Sequence, residues 1–391
     1  MRTQVGIVGA GPAGLLLSLL LQRAGIDCVV LESRSRDYVE NRIRAGVLEQ
    51  GTVDLIAELG AAARLRRESM PDPRLDIRFV GGLISMDLPV LTPGKIVTVY
   101  GQQEVVKDLI AARLARGGTI LFEAEATHLE GIDGNRPAIH FRHRGEAKVM
   151  QCDMVAGCDG FHGVCRAAIP EKALTVYDRV FPFGWLGILA ESPPIPEMTY
   201  SNHERGFSLA SRRSPSLSRL YLQCAVDEDL AQWPDARIWQ ELRTRLYARD
   251  GELKEGRILQ KGVTPVRAYV AAPMRHGRLF LAGDAVHIVP PTGAKGLNLA
   301  AADVRVLARA LIEYFRTGAT DRLERYSETC LRRVWKGVRY SNYMTSLLHR
   351  FDHHSPFERR LQLAELEYLA GSVAARTTIA ENYVGLPFEE D

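Results

Sequence analysis

Gly9, Gly11 and Gly14 stand in the spacing G-x-G-x-x-G within TQVGIVGAGPAGLLLSLLLQRAGIDCVVLE. Such a spacing suits a turn that holds phosphate. Gly9 permits the tight turn, Gly11 lets a pyrophosphate approach the backbone, and Gly14 lets helix and strand pack closely. Free N–H groups and the helix dipole then attract the phosphates. Glu32, closing the second apolar run, is placed to accept hydrogen bonds from the ribose of an adenosine. Three other readings compete. Gln22 and Arg23 interrupt the run well short of the ~18 apolar residues of a membrane span. Leu15–Leu21 is long enough for the apolar part of a secretory signal, yet a signal has no use for the glycine spacing. A glycine cluster serving packing alone is the plain alternative.

Two later stretches put acids at strand ends. DMVAGCDGFHGVCR reaches Asp159-Gly160, and RLFLAGDAVHIVPPTGAKGLNLAAAD reaches Gly283-Asp284 before prolines, glycines and a helix start after Gly296. Each Asp can accept from a ribityl hydroxyl, and the helix N-terminus offers N–H groups to the electron-rich edge of an isoalloxazine ring. The three stretches in this order point to FAD. A fourth, SLASRRSPSLSRLYLQ, sets Ser211 and Arg213 two apart, hence on one face of a strand. A guanidinium fork beside a hydroxyl suits a planar carboxylate. The plain alternative is a solvated basic hairpin.

The elements that must position these residues follow from periodicity. Val5–Val8 and CVVLE read as buried strands around a helix that Pro12 opens and Gly25 ends. RIRAGVLEQGTVDLIAELG reads as a turn feeding an amphipathic helix, and residues 104–116 as another helix. Residues 75–100 and 176–270 are mainly β, with a helix near Trp233–Ala248. From Leu297 onward apolar residues recur at helical spacing. The expected fold is α/β: a βαβ dinucleotide-binding domain (1–74, 98–175 and 268–297), interleaved with a β-sheet substrate domain (75–97 and 176–267) and followed by a helical C-terminal part (298–391). A length of 391 residues suits two joined domains, and the substrate site is expected at their junction. A net charge of +3 argues against nucleic-acid or anionic-membrane partners. Six scattered cysteines without a C-x-x-C pair suggest reduced thiols in a cytoplasm. No metal-ligand spacing stands out.

The glycine fingerprint, the DG stretch and the GD stretch together resemble the single-component FAD-dependent aromatic hydroxylases. RIRAGVLEQG, FPFGWLG, GDAVHIVPPTGAKGLNLA and IAENYVGLP are similar to the branch of that family acting on 4-hydroxybenzoate, and the likeness runs from the first strand to the last ten residues. It implies non-covalent FAD held by Glu32, Arg42, Arg44, Ala45, Gly46, Val47, Gln102, Asp159, Asp284 and the segment Lys295, Gly296, Leu297, Asn298, with Arg219 helping to bring the ring into the site. It implies an aromatic acid bound through Ser211, Arg212, Arg213 and Tyr221. Tyr200 and Tyr383 would relay the phenol proton, and the Pro291 carbonyl would face the phenol. Tyr38, His162 and Arg267 match a shallow NAD(P)H site.

The reaction implied is conversion of 4-hydroxybenzoate to 3,4-dihydroxybenzoate with NADPH or NADH and dioxygen, through a flavin hydroperoxide attacking a phenolate. A phenol ionises near pH ~10, so the site must favour the anion and exclude water. The family is usually dimeric. Two departures stand out. Asp72 occupies the place of a relay histidine, and Ser33 follows Glu32 where an arginine is expected, with Arg34 and Arg36 nearby. The preference for NADPH or NADH is therefore open. The rival readings are the same chemistry on 3-hydroxybenzoate or an aminobenzoate, and a flavin-binding redox sensor that hydroxylates nothing.

Overall fold

The computed structural model describes residues 1–44 and 46–388. Two large sheets carry the molecule. In the first, the strands Leu279–Leu281, Glu146–Gly157, Arg2–Val8, Cys28–Leu31 and Thr119–Leu121 run parallel in that spatial order. The four residues of Cys28–Leu31 are all buried, as expected for a parallel strand covered on both faces. Pro12–Arg23 crosses between the first two strands, with Pro12 at its first position and Gly25 left-handed (φ 76°) just beyond its end. Ala124–Glu130 and Ala138–His143 extend this sheet antiparallel from Glu146–Gly157.

The second sheet orders His287–Ile288, Arg257–Ala272, Thr175–Glu191, Leu217–Cys224, Ser208–Ser214, Met198–Ser201, Arg74–Phe79 and Gly82–Asp87. Its pairing continues past the boundary expected at residue 267, because Thr175 still pairs with Ala272. A small third sheet joins Val47–Leu48, Val97–Val99 and Met70–Asp72. Helices Gly296–Thr317, Asp321–Leu348, Pro356–Gly371 and Val373–Val384 form the C-terminal part. Among the described residues no helix is long and apolar enough to cross a membrane. All six cysteines are buried and unbridged.

The three fingerprint glycines do different jobs. Gly9 is left-handed (φ 104°), and a side chain there would strike the Cys158 carbonyl at 2.2 Å. A Cβ on Gly14 would meet the Gly9 carbonyl at 2.0 Å. Gly11 is extended (φ −74°, ψ 179°), and a Cβ there would meet no atom within 4 Å. Open space at Gly11 is where a bound group would lie. Gly14→Ala should therefore destabilise the apoprotein by about 1–3 kcal/mol, the usual cost of overpacking. Gly11→Ala should leave apoprotein melting unchanged while weakening dinucleotide binding. Thermal melts and a fluorescence titration with FAD separate the two; equal melting losses would contradict this division of labour.

Candidate active site

The glycine turn, the Asp159 turn and the Gly283-Asp284 turn meet at the carboxyl ends of neighbouring parallel strands. Gly283 sits between two helices: its Cβ position lies 3.1 Å from Ala300 and 3.5 Å from Ala13. Glu32 reaches back across the glycine turn, its Oε2 accepting from the Ala10 N–H at 2.8 Å and its Oε1 from the Arg34 N–H at 2.9 Å. Asp159 Oδ2 accepts from the Cys165 N–H at 2.9 Å, while Oδ1 is buried without a hydrogen-bond partner. Burial holds the Asp159 carboxyl above its ordinary range. The same effect raises Asp284, opposed by His287, Arg44 and Arg42. Neither Gly11 nor Lys295 caps its helix with a side chain, so first-turn N–H groups remain available. Open space, a spare buried acceptor and two uncapped helix starts fit FAD.

Several residues expected to touch FAD are committed to the protein through their side chains. Lys295 Nζ donates to Glu49 Oε1 at 2.6 Å and to the Tyr383 carbonyl at 3.2 Å. Asn298 Oδ1 accepts from the Glu49 N–H and the Thr52 hydroxyl, and its amide donates to the carbonyls of Val47 and Ala294. These bonds fix the start of Gly296–Thr317, leaving its backbone from Gly296 through Leu297 to Asn298 to meet a cofactor. Gly46 has a steric reason: a Cβ there would lie 2.5 Å from both an Arg213 guanidinium nitrogen and the Tyr100 carbonyl. Gln102 is half-buried at the first position of Gln102–Ala115. Arg42 lies over the exposed Tyr38 ring, 5.8 Å from its centroid. Ala45 lies outside the described residues.

The second sheet supplies an apolar floor. Tyr200 pairs with Leu209, Leu209 with Tyr221, and Tyr221 with Gly187, so these four share one face. Two strand spacings separate Tyr200 from Tyr221, roughly 10 Å. Arg219 Nε donates to the Tyr221 hydroxyl at 3.2 Å, and the bare Gly187 leaves room for its guanidinium. Arg213 donates to the Arg44 carbonyl, and burial and the neighbouring Arg219 both weaken its hold on its proton. Arg213 Nε and an Arg219 terminal nitrogen are buried without partners. Among the described residues neither guanidinium makes an ion pair.

One expectation about this strand needs correction. Ser211 pairs with Arg219, and the register then shifts between Arg212 and Ser214, so that Arg213 sits at a bulge. Such a bulge re-aims a side chain. Arg212 does not join the carboxylate clamp. As a strand neighbour of Ser211 it faces the other way, donating to the Pro71 carbonyl at 2.8 Å and lying 3.3 Å from Asp72. The Ser211 hydroxyl donates to the Arg219 carbonyl at 2.9 Å. Its oxygen stays free to accept.

At the other end, Tyr200 and Tyr383 are 2% and 1% exposed. Burial raises both phenols; each influences the other's titration, and Asp72 raises both. The Tyr383 hydroxyl has no hydrogen bond of acceptable geometry. Asp72 is itself 1% exposed, with both carboxylate oxygens lacking hydrogen bonds. Burial pushes it up to about 6, against the pull of Arg212. The Pro291 carbonyl accepts from the Ala294 N–H at 3.0 Å, closing the turn before Gly296. Arg267 and the exposed His162 both pack on Phe161, although Arg267 is paired with Asp178.

Sequence reasoning missed Glu49, Asp303 and His287. Glu49 joins Lys295 to Arg333, whose guanidinium also holds the carbonyls of Leu386 and Pro387. Asp303 accepts from the Gly283 N–H at 3.0 Å and pairs with His287 at 2.6 Å, pinning the Gly283-Asp284 turn. Burial disfavours the charged His287, but Asp303 outweighs it and raises the imidazole. Glu49, His287 and Asp303 all lay inside stretches already singled out; Arg333, the second partner of Glu49, did not.

Comparison with known proteins agrees with this geometry. The FAD binding domain family matches residues 2–341. p-Hydroxybenzoate hydroxylase of Acinetobacter baylyi is 48% identical over 391 residues, covering 100% of this chain and 96% of that protein. Para-nitrophenol 4-monooxygenase of a Pseudomonas species is 27% identical over 83% of this chain and 81% of its own. The crystal structure of p-nitrophenol 4-monooxygenase from Pseudomonas putida superposes with a TM-score of 0.85 at 21% identity, covering 98% of this chain and 99% of that one, which speaks to the fold. With a cradle that fits FAD and a full-length relative sharing nearly half its residues, the chain belongs to the single-component FAD-dependent aromatic hydroxylases.

Proposed function

We propose that the protein hydroxylates 4-hydroxybenzoate to 3,4-dihydroxybenzoate using FAD, NAD(P)H and dioxygen. The observation that carries this reading is one apolar face with un-neutralised Arg213 and Arg219 at one end and the buried Tyr200–Tyr383 pair at the other. That spacing suits a flat acid with its carboxylate and phenol at opposite poles. The full-length relative that acts on p-hydroxybenzoate supports it. FAD, held by the glycine turn, Glu32, Asp159, Asp284 and the 296–298 backbone, would supply reducing equivalents and the activated oxygen.

This chain's own residues do the rest. Arg213 and Arg219, with Tyr221, hold the carboxylate and orient the ring. Trp185, Phe207 and Leu209, all buried in the same cluster, keep water away. Tyr200 takes the phenol proton and passes it toward Tyr383, and the ionised Asp72 beyond them is its sink. We assign residues 1–74, 98–175 and 268–297 to the flavin-holding part, and 75–97 with 176–267 to the substrate part, with the second sheet's pairing running across that boundary as far as Ala272. A homodimer would cover the exposed Phe357, Leu361 and Tyr368 of Pro356–Gly371. Oxygen uptake with chromatographic identification of the dihydroxy product tests the whole reading; reductant oxidation that yields only peroxide would refute 4-hydroxybenzoate as substrate.

Arg213→Ala should raise the dissociation constant for 4-hydroxybenzoate at least about tenfold, the least expected for losing a charge-assisted hydrogen bond of ~1.5 kcal/mol. An unchanged titration would remove Arg213 from the site. Tyr200→Phe should bind substrate almost normally while slowing hydroxylation by roughly 10²–10⁴, the range for a lost general base. Full product yield at an unaltered rate would exclude the relay.

Asp72 gives a pH signature in stability. Its carboxyl titrates near 6 in the fold and near ~3.9 unfolded, so the folded state binds the proton more tightly. Stability from this group is complete below pH ~4 and is lost as pH rises toward about 6. Asp72→Asn should therefore stabilise the protein above pH 6, by about 2–3 kcal/mol for two pK units, with no gain near pH 4. Urea unfolding at both pH values measures this, and a destabilised variant at pH 7.5 would contradict the assignment.

A further inference from the structure

The antiparallel extension of the first sheet ends in the strand Ala124–Glu130, which pairs with Ala138–His143. His128 stands directly opposite His140 in that pairing, and Glu130 opposite Ala138. Residues two apart on a strand share a face, so the carboxylate joins both imidazoles on one side of the pair. The two rings stack, with centroids 4.2 Å apart and 14° between their planes. Glu130 Oε2 lies 3.1 Å from His140 Nε2, and its Oε1 lies 3.5 Å from His128 Nε2. His140 Nε2 is nevertheless buried without a hydrogen bond. Beyond His140 the register shifts: Phe141 pairs with Ala126, leaving Thr127 as the extra residue of a bulge, a device that re-aims side chains. The Thr127 hydroxyl donates to the His140 carbonyl at 3.1 Å. Its oxygen, 3.2 Å from His128 Nδ1, is left to accept, which places the proton of a neutral ring on Nδ1 and the lone pair on Nε2.

We propose that His128, Glu130 and His140 form a zinc site, holding Zn²⁺ through two imidazole nitrogens and one carboxylate oxygen, with water completing the shell. Bonds of ~2.0–2.2 Å to a tetrahedral ion set its ligands roughly 3.3–3.6 Å apart. The two histidine–carboxylate separations fall close to that spacing. All three donor atoms lie within 4.8 Å of one another, so side-chain rotation closes the set. Thr127 acts as an outer partner of a metal-binding histidine does, fixing its tautomer and orientation. Two nitrogens and one oxygen suit zinc and its transition-metal neighbours, whereas Mg²⁺ and Ca²⁺ take oxygen ligands. His128 and Glu130 are exposed, which gives the ion a path from solvent. A plain cross-strand ion pair accounts for less, because it leaves His140 Nε2 without its hydrogen bond. The ion fastens the two strands at one end. The other end of Ala124–Glu130 is tied to the flavin cradle, the Ala124 N–H donating to the Glu32 carbonyl at 2.8 Å.

This inference stands apart from the hydroxylase reading and needs no turnover to test. Chelator-treated holoenzyme is titrated with Zn²⁺ by calorimetry, and its melting is followed with and without the ion. The wild type should take up a single Zn²⁺ per chain at this site and melt at a higher temperature when it is bound. His128→Gln combined with His140→Gln should abolish both the uptake and the thermal shift, while FAD affinity stays within about twofold. Thr127→Val, which keeps all three ligands, should weaken zinc binding about 10–100-fold. Glu130→Gln, a change to an exposed side chain, should weaken it at least as much and covers the case of a misfolded double variant. No uptake by the wild type, or undiminished uptake by the double variant or by Glu130→Gln, would overturn the proposal. So would Mg²⁺ displacing Zn²⁺ at equal concentration, or wild-type affinity in Thr127→Val.

Discussion

Arg213 and Arg219 lie near one another over an apolar floor; burial above all, and then the charge of Arg219, weakens Arg213's hold on its own proton. Like charges in a partly dry place repel strongly, because little water screens them. The fold nevertheless builds this arrangement with care. Gly46 and Gly187 clear the space each guanidinium needs, and a bulge aims Arg213 toward the Arg44 carbonyl. An arrangement that costs free energy when empty is one that an anion stabilises on binding. In the proposed function a carboxylate would meet these unpartnered N–H groups and relieve the repulsion between the two guanidiniums.

The opposite pole works by the reverse principle. Tyr200 and Tyr383 are neutral groups in a dry environment, and burial alone would keep them protonated. A substrate phenol arriving between clamp and tyrosines would suffer the same penalty on ionising, so a nearby acceptor must offset it. In the proposed relay Asp72 would be that acceptor, and burial lifts its carboxyl to about 6, above the ordinary carboxylate value. The strand Ser208–Ser214 connects the poles mechanically. Arg213 leaves it toward the clamp, while Arg212, one residue away and facing the other side, reaches Asp72. Strand geometry makes neighbours diverge, and that divergence would let one seven-residue strand serve both ends of the proposed substrate.

How much of this was readable in the sequence follows from how far apart the interacting groups lie. The βαβ unit was legible because its signals are local: glycine spacing, Pro12 at a helix start and apolar runs of strand length. Residue types at the site were legible through extended likeness to a family. Which atoms act was not. Lys295 and Asn298 are where expected, yet their side chains bind Glu49, Thr52 and Val47, some 250 residues away, and only the backbone they fix is left for a cofactor. Arg212 was grouped with Arg213 because the two are adjacent, although adjacency on a strand separates side chains. The bulge that rescues Arg213 has no sequence signal, being a property of the pairing and not of either strand.

Glu49 shows how such long-range bonds bear on the chemistry. Its carboxylate pairs with two buried cations at once, Lys295 at the start of the Gly296–Thr317 helix and Arg333 on the Asp321–Leu348 helix. A buried ion pair of this kind adds little net stability, since desolvation offsets most of the attraction. What it fixes is relative position. Lys295 also holds the Tyr383 carbonyl, and Arg333 holds the carbonyls of Leu386 and Pro387. The helix start that would face the flavin, the tyrosine that would relay the proton and the chain's final segment are therefore tied to one carboxylate. Displacement of any one is resisted by the cost of leaving a buried charge unpaired, and for that electrostatic reason the proposed proton path would keep its register with the cofactor.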